Sequence, residues 1–426
     1  MTRNALYAGL DVGTSGLRLV VCDCRGESCI STRRTWPGGV MPDRADSWWD
    51  AGRGLLEELP PSVRTDLAAI AVGGTSGTVL LATPEGRALG PAMAYNQPAD
   101  AAAQQRLDAL APAQSAARGS GSGLARAVSL FERMPPSGAL RVANQADWLA
   151  AQLLGALRYT DENNALKLGY DPVSRCWPDW VLACGLPPEA LLTVRAPGDV
   201  LGTLAPGVAL DIGLPARCRV VAGTTDSIAG FLATGAHQIG DAVTSLGTTL
   251  AVKLLTGEPA FSAAHGVYSH RLGDLFLAGG ASNSGAGVLA DFFTGPELEG
   301  LSCRLQPDRP TDLDYYPLSR PGERFPTHDP GLLPRLQPRP ADDVVFLQGM
   351  LEGIARIEAR AYARLSEMGC PPPHRIITVG GGAKNEAWRQ IRQRELGVEV
   401  VNLAAAEPAL GVARLAARAL EIVGKR

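Results

Sequence analysis

Short apolar runs, separated by turns of glycine and hydroxyl residues, open the chain. Residues 5–11, 17–23 and 27–35 have the apolar patterning of strands, and the turn DVGTSG joins the first two. A tight hairpin needs only two turn residues, such as Asn-Gly. This turn carries a carboxylate, two hydroxyls and two glycines, so its composition indicates a role beyond chain reversal.

The second half of the chain repeats this layout. VVAGTTDS (220–227) precedes a helix-like piece, and DAVTSLGTTLAVKLL (241–255) again predicts a strand, a glycine turn and a strand. GVYSHRLGDLFLAGG (266–280) predicts a hairpin that supplies a third strand, and NSGAGVLADFF (283–293) predicts a helix that begins at a polar cap. We therefore predict a duplicated α/β chain whose glycine-rich turns line a cleft between its halves.

Helical spacing of apolar residues predicts most of the other elements. RIITV (375–379) predicts a strand that ends in the turn GGGAKN (380–385), whereas the Pro- and Arg-rich residues 294–341 predict a long excursion over the surface. Helices are expected over residues 46–58, 144–155, 344–368 and 386–396 and over the closing segment PALGVARLAARALEIV.

Composition excludes several classes of protein. The 40 basic and 43 acidic residues give a net charge of −3, which argues against a nucleic-acid-binding protein. No apolar run approaches the ~18 residues of a membrane span, so we expect no membrane partner. The eight cysteines form no CxxC pair and the five histidines no HExxH cluster, which argues against a structural zinc site. The N-terminus enters a strand without a signal-peptide pattern, so we expect reduced thiols and a cytoplasmic location.

The DVGTSG turn has the groups that an anion site needs. Glycine lets backbone amides approach a ligand, and Thr14 and Ser15 add hydroxyl donors. Asp11 suits Mg²⁺ bound through water, because magnesium uses few carboxylates and keeps several waters. The alternative is an ordinary decorated hairpin. SLGTT (245–249) and GGGAKN supply two further loops of this kind, which favours a nucleotide phosphate tail with its metal, although none is a P-loop.

Five segments in combination resemble the FGGY family of carbohydrate kinases: GLDVGTSGLR, GTTDSIAGFLATGA (223–236), SLGTTLAVKL, GGASNSGAG (279–287) and GGGAKNEAW (380–388). The resemblance implies an α/β fold of two actin-like ATPase (ribonuclease H-like) domains that flank a catalytic cleft. It implies a sugar-binding domain over 1–230 and a nucleotide-binding domain over 231–426, with the last helix packed back on the first domain. It also implies ATP and Mg²⁺ as cofactors, a small-molecule sugar as partner, and a monomer or homodimer.

Within that family, four segments are similar to the short D-ribulose kinases: GGTSGTVLL (73–81), YNQ (95–97), NQADWL (144–149) and NALKLGYD (164–171). Longer xylulose kinases usually show Gln-Met-His-Gly where this chain has GTSGT. The resemblance therefore implies phosphorylation of D-ribulose to D-ribulose 5-phosphate, with D-xylulose or another ketose or polyol as the alternative.

Two alternatives come from other classes, namely an actin-like ATPase without sugar chemistry and a non-catalytic sugar sensor. The GTTDS stretch favours a kinase over the first, because an ATPase of that kind needs no carboxylate on the sugar side. The presence of Asp11, Thr14 and Asp226 counts against the second.

The resemblance also implies roles for residues of the first half. Asp226 would be the general base, with a helix N-cap as its alternative role. Asp11 and Thr14 would act beside it, at the metal and at the γ-phosphate. Arg18 and Ser76 would bind the sugar. Alternatively, Arg18 is a solvated strand residue and Ser76 has an ordinary role in a turn. The expected sugar-binding residues are Asp11, Ser15, Gly16, Arg18, Ser76 and Asp226.

On the nucleotide side, the resemblance implies contacts from three loops and from the Thr14 turn. A helix follows GGGAKN, and its N-terminal dipole favours a nearby anion. Trp388 lies one helical turn beyond Asn385, where it either packs beside the adenine or belongs to the core. The expected nucleotide-binding residues are Thr14, Gly247, Thr248, Asn283, Gly285, Gly381, Gly382, Asn385 and Trp388.

Overall fold

Strands and helices follow one another in mixed order along the chain. The computed structural model describes residues 5–119, 121–134, 138–403 and 406–423. The strands are β1 Leu6–Val12, β2 Gly16–Cys22, β3 Ser28–Thr35, β4 Leu67–Gly74, β5 Val79–Ala82, β6 Arg141–Asn144, β7 Tyr159–Asp161, β8 Thr193–Arg195, β9 Val200–Thr203, β10 Arg219–Thr225, β11 Asp241–Leu246, β12 Leu250–Thr256, β13 Tyr268–Leu272, β14 Leu275–Ala281, β15 Arg375–Val379 and β16 Glu399–Asn402.

Helices flank these strands, and short 3₁₀ turns occupy Pro37–Gly39, Pro188–Ala190, Ala286–Asp291 and Gly381–Lys384. The α-helices are α1 Ala45–Glu57, α2 Pro61–Asp66, α3 Ala101–Leu110, α4 Gly123–Arg133, α5 Gln145–Leu154, α6 Glu162–Leu166, α7 Asp179–Ala183, α8 Pro206–Ile212, α9 Asp226–Ala233, α10 Gly295–Ser302, α11 Asp343–Glu367, α12 Glu386–Leu396 and α13 Pro408–Val423. Within the described residues, none of these helices combines the length and the apolar character that crossing a membrane would require.

The chain divides into two compact units. The first combines Met1–Ala233 with Glu407–Arg426, and the second is Thr234–Ala406. The last helix, α13, therefore belongs to the same unit as β1. The functional assignment of 1–230 and 231–426 to sugar and nucleotide stays a prediction, because a compact unit does not reveal its ligand.

The first unit is built on a six-stranded sheet in the order β3-β2-β1-β4-β10-β9. β1 pairs antiparallel with β2 and parallel with β4, and β4 pairs parallel with β10. Because β1, β4 and β10 run in the same direction, their carboxyl ends meet at one edge of the sheet. That edge is where open α/β sheets place their ligands.

The second unit has a six-stranded sheet in the order β13-β14-β12-β11-β15-β16. β11 pairs antiparallel with β12 and parallel with β15, as β1 pairs with β2 and β4. The predicted duplication is therefore present in the strand pairing. One detail differs, because β12 pairs with β14 and not with the next strand along the chain, so the β13–β14 hairpin adds a strand at the sheet edge.

Helix α13 lies close against the first sheet and against α9. A Cβ placed on Gly9 would lie 2.1 Å from the Ala409 carbonyl oxygen, and one on Gly411 would lie 1.9 Å from that of Ala229. Only glycine allows such approaches of backbone to backbone. Small buried residues of α13, among them Ala413, complete a core with the sheet.

The predicted helix over 283–293 is wrong, since only a 3₁₀ turn over Ala286–Asp291 forms there. The amide N–H groups of Ala286 and Gly287 donate to the carbonyls of Gly247 and Thr248, at 2.9 and 3.1 Å. Gly285 has φ 155° and ψ −168°, far from helical values, so an α-helix that starts at the polar cap cannot run through it.

The prediction that 294–341 is a surface excursion is wrong in part. It contains α10, and it buries Tyr315, Tyr316 and Phe325, which are 2%, 5% and 0% exposed. The ring of Tyr315 meets that of Phe346 on α11 edge-on, with centroids 5.8 Å apart. The segment therefore covers the core of the second unit, which its Pro and Arg content conceals.

Candidate active site

Three aligned strand ends in the first unit bring polar groups together. In the strand register Asp11 on β1 lies opposite Gly73 on β4, and Gly73 lies opposite Thr224 on β10. Two strand spacings of ~4.8 Å separate Asp11 from Thr224, a span that suits a small molecule. Asp226 follows directly after β10 at the same edge.

Asp11 is buried on β1 and is not a solvent-facing turn residue. It is 6% exposed, and within the described residues its Oδ1 atom has no hydrogen-bond partner. Burial raises the pKa of Asp11 to about 7, and the carboxylates of Asp226 and Glu407 add to the increase, whereas Arg18 opposes it. A buried carboxylate of this kind is destabilised until a cation or a hydrogen-bond donor reaches it.

Asp226 is the first residue of α9. Its Oδ1 atom accepts from the backbone N–H of Ser227, the next residue, at 2.6 Å, whereas a capping side chain accepts from an N–H two or three residues on. Its charge also reaches the Asp11 and Lys167 side chains, whose pKa values it raises. Both the cap role and the base role of Asp226 therefore stay predictions.

Ser76 lies in the loop after β4, and sequence reasoning missed its neighbour Lys167. The Ser76 hydroxyl is buried and, among the described residues, has no partner. The Lys167 Nζ atom lies 3.5 Å from the Ser76 carbonyl oxygen. Burial lowers the pKa of Lys167, while the nearby Asp226 carboxylate opposes that shift. The sequence signal for Lys167 is a lysine flanked by a leucine on each side in NALKLGYD.

Arg126 is a second residue that the sequence did not single out. It is 0% exposed, and its guanidinium donates to the carbonyls of Gly77, Gln97 and Gly121 at 3.0, 3.1 and 2.9 Å. Burial lowers its pKa to about 10. One buried cation thus fixes three loops, including the loop of Ser76, on the carboxyl side of β4.

The β1–β2 turn presents exposed hydroxyls on a rigid base. Thr14 and Ser15 are exposed, and the turn closes through a 2.9 Å hydrogen bond from the Gly13 N–H to the Gly16 carbonyl. Gly16 has a packing role, because a Cβ there would lie 2.2 Å from the Arg34 carbonyl oxygen on β3. Arg18 is paired, since its Nη1 atom lies 3.0 Å from Glu407 Oε1, and its contact with the sugar stays a prediction.

The residues present fit Mg²⁺ bound through water. Within the described residues no cluster of three or more metal-ligating side chains is found. Magnesium does not require such a cluster, because it is commonly held by one or two carboxylates, waters and substrate phosphates. The unpartnered Oδ1 atom of Asp11, near Asp226, supplies the negative charge that such an ion needs.

In the second unit, the turn between β11 and β12 is held by the loop that follows β14. Gly247 and the exposed Thr248 form the turn, in which the Gly247 N–H donates to Thr249. Gly285 packs directly on this turn, since a Cβ there would lie 2.6 Å from the Thr249 carbonyl carbon. The structure thus brings Gly247, Thr248 and Gly285 together.

A groove of about 610 Å³ lies beside that turn in the same unit. Its volume falls in the range of small-molecule sites. Gly381, Gly382, Asn385 and Trp388 all line it, as the sequence predicted for one adenosine site. The other lining residues are Ala286, Leu289, Gly295, Leu298, Glu299, Ser302, Cys303, Leu347, Leu351, Lys384, Glu386 and Ala387.

The start of α12 holds Asn385 and Trp388 in place. Asn385 caps the helix by accepting from the Trp388 N–H at 2.9 Å, and its amide donates to Ser302 at 2.9 Å. Trp388 is 2% exposed, and its indole N–H donates to the Leu351 carbonyl at 3.2 Å. It therefore belongs to the core and also forms part of the groove wall.

Asn283 lies on the same loop as Gly285 and, like Gly247, Thr248 and Gly285, is outside the groove lining. Its side-chain amide donates to the Gly322 carbonyl at 2.9 Å, and its backbone N–H donates to Glu323 at 2.7 Å. Its geometry supports the loop that carries Gly285, and direct contact with nucleotide stays a prediction.

Comparison with known proteins finds a similarity to one family over part of the chain. Residues 242–420 match the model of the FGGY family of carbohydrate kinases, C-terminal domain. The chain is 25% identical over 443 residues to a xylulose kinase of Escherichia coli, a match that covers 96% of this chain and 89% of that protein. A xylulose kinase of Streptomyces coelicolor is 27% identical over 456 residues, covering 96% and 88%.

Solved structures show the same fold. The crystal structure of a xylulose kinase from Rhodospirillum rubrum superposes with a TM-score of 0.82 at 23% identity, covering 98% of this chain and 90% of that one. The expected α/β fold of the actin-like ATPase type is thereby confirmed. Over residues 242–420 the chain is therefore similar to the C-terminal domain of the FGGY family of carbohydrate kinases.

Proposed function

We propose that the protein is an ATP-dependent pentulose kinase that phosphorylates the terminal hydroxyl of its sugar. The observation that carries this proposal is the strand edge of the first unit, where Asp11, Ser76 and Thr225 each keep a buried oxygen without a partner among the described residues. Buried polar atoms are normally hydrogen-bonded, so these three favour a polyhydroxylated ligand. Asp226 at the same edge supplies the carboxylate that an alcohol acceptor requires.

The chemistry proposed for this edge is an in-line phosphoryl transfer. The terminal hydroxyl oxygen of the sugar forms a bond to the γ-phosphorus of ATP, while the bond from that phosphorus to the β–γ bridging oxygen breaks and ADP leaves. The hydroxyl proton passes to the Asp226 carboxylate. Mg²⁺, when bound near Asp11, neutralises charge on the phosphates. The Lys167 Nζ atom lies 3.5 Å from the Ser76 carbonyl oxygen, and its charge interacts with that of Asp226.

D-xylulose is the substrate that the relatives support best. Both full-length relatives described above are named xylulose kinases, and each match covers most of the two chains. D-ribulose is the second candidate, and the resemblance of GGTSGTVLL and NALKLGYD to short D-ribulose kinases favours it. The two sugars differ in the orientation of one hydroxyl, which side chains around Ser76 and Lys167 would read.

Measurement of ADP release over a panel of sugars tests the proposal. With ATP and Mg²⁺, we expect turnover with D-xylulose or D-ribulose to exceed that with hexuloses and polyols, and a 5-phosphate product. Comparing the two pentuloses by kcat/KM decides the preferred one. Equal, slow ADP release with and without every sugar would instead indicate an actin-like ATPase, and sugar binding without turnover would indicate a sensor.

Replacing Asp11 should weaken the use of magnesium. We expect Asp11→Asn to need about 10–100-fold more Mg²⁺ for half-maximal turnover, since outer-shell groups typically contribute that much to metal binding. Its melting temperature should not fall, because the buried carboxylate has an unpartnered oxygen and a pKa raised by burial. Magnesium titration of turnover measures the effect, with Asp23→Asn in the loop after β2 as the control. An unchanged magnesium requirement would refute the metal role.

A further inference from the structure

We infer that Glu323 is a positioning residue for nucleotide phosphates, although it lies in the Pro- and Arg-rich segment far along the chain from the glycine turns. Glu323 anchors the loop of residues 282–287, and that loop holds the turn of residues 247–249 in place. This inference rests on the proposed function, in that it assumes the turn contacts the phosphates of ATP. All the residues involved belong to the second unit.

Glu323 gathers four donors on a buried carboxylate. It is 3% exposed, and Oε2 accepts from the Ser282 hydroxyl at 2.6 Å and from the Tyr316 hydroxyl at 3.0 Å. Oε1 accepts from the backbone N–H groups of Asn283 and Arg324 at 2.7 and 2.9 Å. Among the described residues no cationic side chain pairs with it, so hydroxyl and amide donors alone stabilise its charge.

The loop that Glu323 holds is hydrogen-bonded along the phosphate-side turn. The N–H of Ser282 donates to the Leu250 carbonyl at 2.8 Å, and the N–H of Leu250 donates to the Ser284 carbonyl at 2.7 Å. Farther on, the N–H groups of Ala286 and Gly287 reach the carbonyls of Gly247 and Thr248. A shift of the loop must therefore move the turn.

The loop and the turn are packed closely against each other. A Cβ on Gly285 would lie 2.6 Å from the Thr249 backbone, and one on Gly287 would lie 2.8 Å from the Thr248 carbonyl oxygen. With contacts this close, the turn cannot keep its position if the loop moves. Because turnover is sensitive to displacements of about 1 Å, the anchoring of Ser282 and Asn283 by Glu323 is a functional contact.

Two substitutions separate the carboxylate's geometry from its charge. Glu323→Ala removes the acceptor for all four donors. Glu323→Gln keeps an oxygen for the two backbone N–H groups, while the hydroxyls of Ser282 and Tyr316 can rotate to accept from the new amide. We expect Glu323→Ala to raise the KM for ATP and weaken ADP binding by about 10–100-fold, and Glu323→Gln to recover most of that loss.

Adenosine binding separates a positioning role from a merely structural one, because general damage to the second unit would weaken adenosine binding as well. It carries no phosphate, so Glu323→Ala should bind adenosine as the unaltered protein does, while binding Mg·ADP much more weakly. Calorimetric titration of both ligands measures the split. Glu352→Ala is the matched control, because Glu352 is also a buried acceptor of several donors but holds Thr311 and Arg394, away from the turn. It should lower the melting temperature without separating ADP from adenosine.

The outcomes distinguish this inference from the proposed function. If the unaltered protein bound no ADP and phosphorylated no pentulose, the proposed function would fail. If it did both, and Glu323→Ala kept a normal KM for ATP, or lost adenosine and ADP equally, the positioning role of Glu323 would be overturned while the kinase proposal stood.

Discussion

Asp226→Asn is expected to lose turnover by about 10²–10⁴, the usual contribution of a positioned general base. The amide keeps the size of the side chain and its hydrogen bond to the Ser227 N–H but cannot take the sugar proton. Sugar affinity should change far less than turnover. Steady-state kinetics with the preferred pentulose measure both quantities.

The melting temperature of the same variant separates base from cap. Asparagine caps helices nearly as well as aspartate, so we expect Asp226→Asn to melt as the unaltered protein does. Asp342→Asn is the control for a cap alone, because Asp342 is the N-cap of α11 and accepts from the Val344 N–H at 2.9 Å. It should leave turnover and melting unchanged. Near-normal turnover of Asp226→Asn would reduce Asp226 to a cap.

Arg392→Met should destabilise the protein by about 3–5 kcal/mol, the usual cost of leaving one charge of a buried pair alone. Arg392 on α12 and Glu358 on α11 are 1% and 0% exposed at their side chains, and two contacts of 2.6 and 2.7 Å join them. Glu358 also accepts from Thr244 on β11. The pair thus ties both helices to the sheet beneath the groove.

Denaturant unfolding and ADP binding together test this expectation. Because α12 carries Asn385 and Trp388, the loss of Arg392 should weaken nucleotide binding along with stability. Arg364→Met is the control, since its ion pair with Glu367 is on the surface and such pairs contribute at most about 1 kcal/mol. Equal unfolding midpoints for the two variants would show that the buried pair contributes little.

The sequence patterns predicted those elements whose structure depends on residues that are neighbours along the chain. The β1–β2 turn, the long stripe of α11 and the strand–turn–helix around Gly381 all appear within a residue or two of their predicted bounds. The residues expected to bind adenosine meet at one groove because they lie close together in sequence. A strand ending in glycines and followed by a capped helix carries enough information to place them.

Contacts between distant segments could not be predicted in this way. Arg18 pairs with Glu407, which is 389 positions away, and no pattern around Arg18 indicates that partner. The helix predicted at 283–293 does not form because Gly285, packed on the backbone of Thr249, has a non-helical conformation. Glu323 and Arg126 were missed for a related reason: each is a charged residue buried only because several loops converge on it.

The split of the first unit between the two ends of the described chain affects the order of synthesis. The face of its sheet that α13 covers cannot be closed until Thr234–Ala406 has emerged from the ribosome. Until then Ala69, Ala71 and Val221, all buried in the finished protein, lack part of their covering. The second unit is continuous in sequence, so it can fold first. Until α13 is made, the uncovered apolar face of the first sheet is the kind of surface through which partly folded domains aggregate.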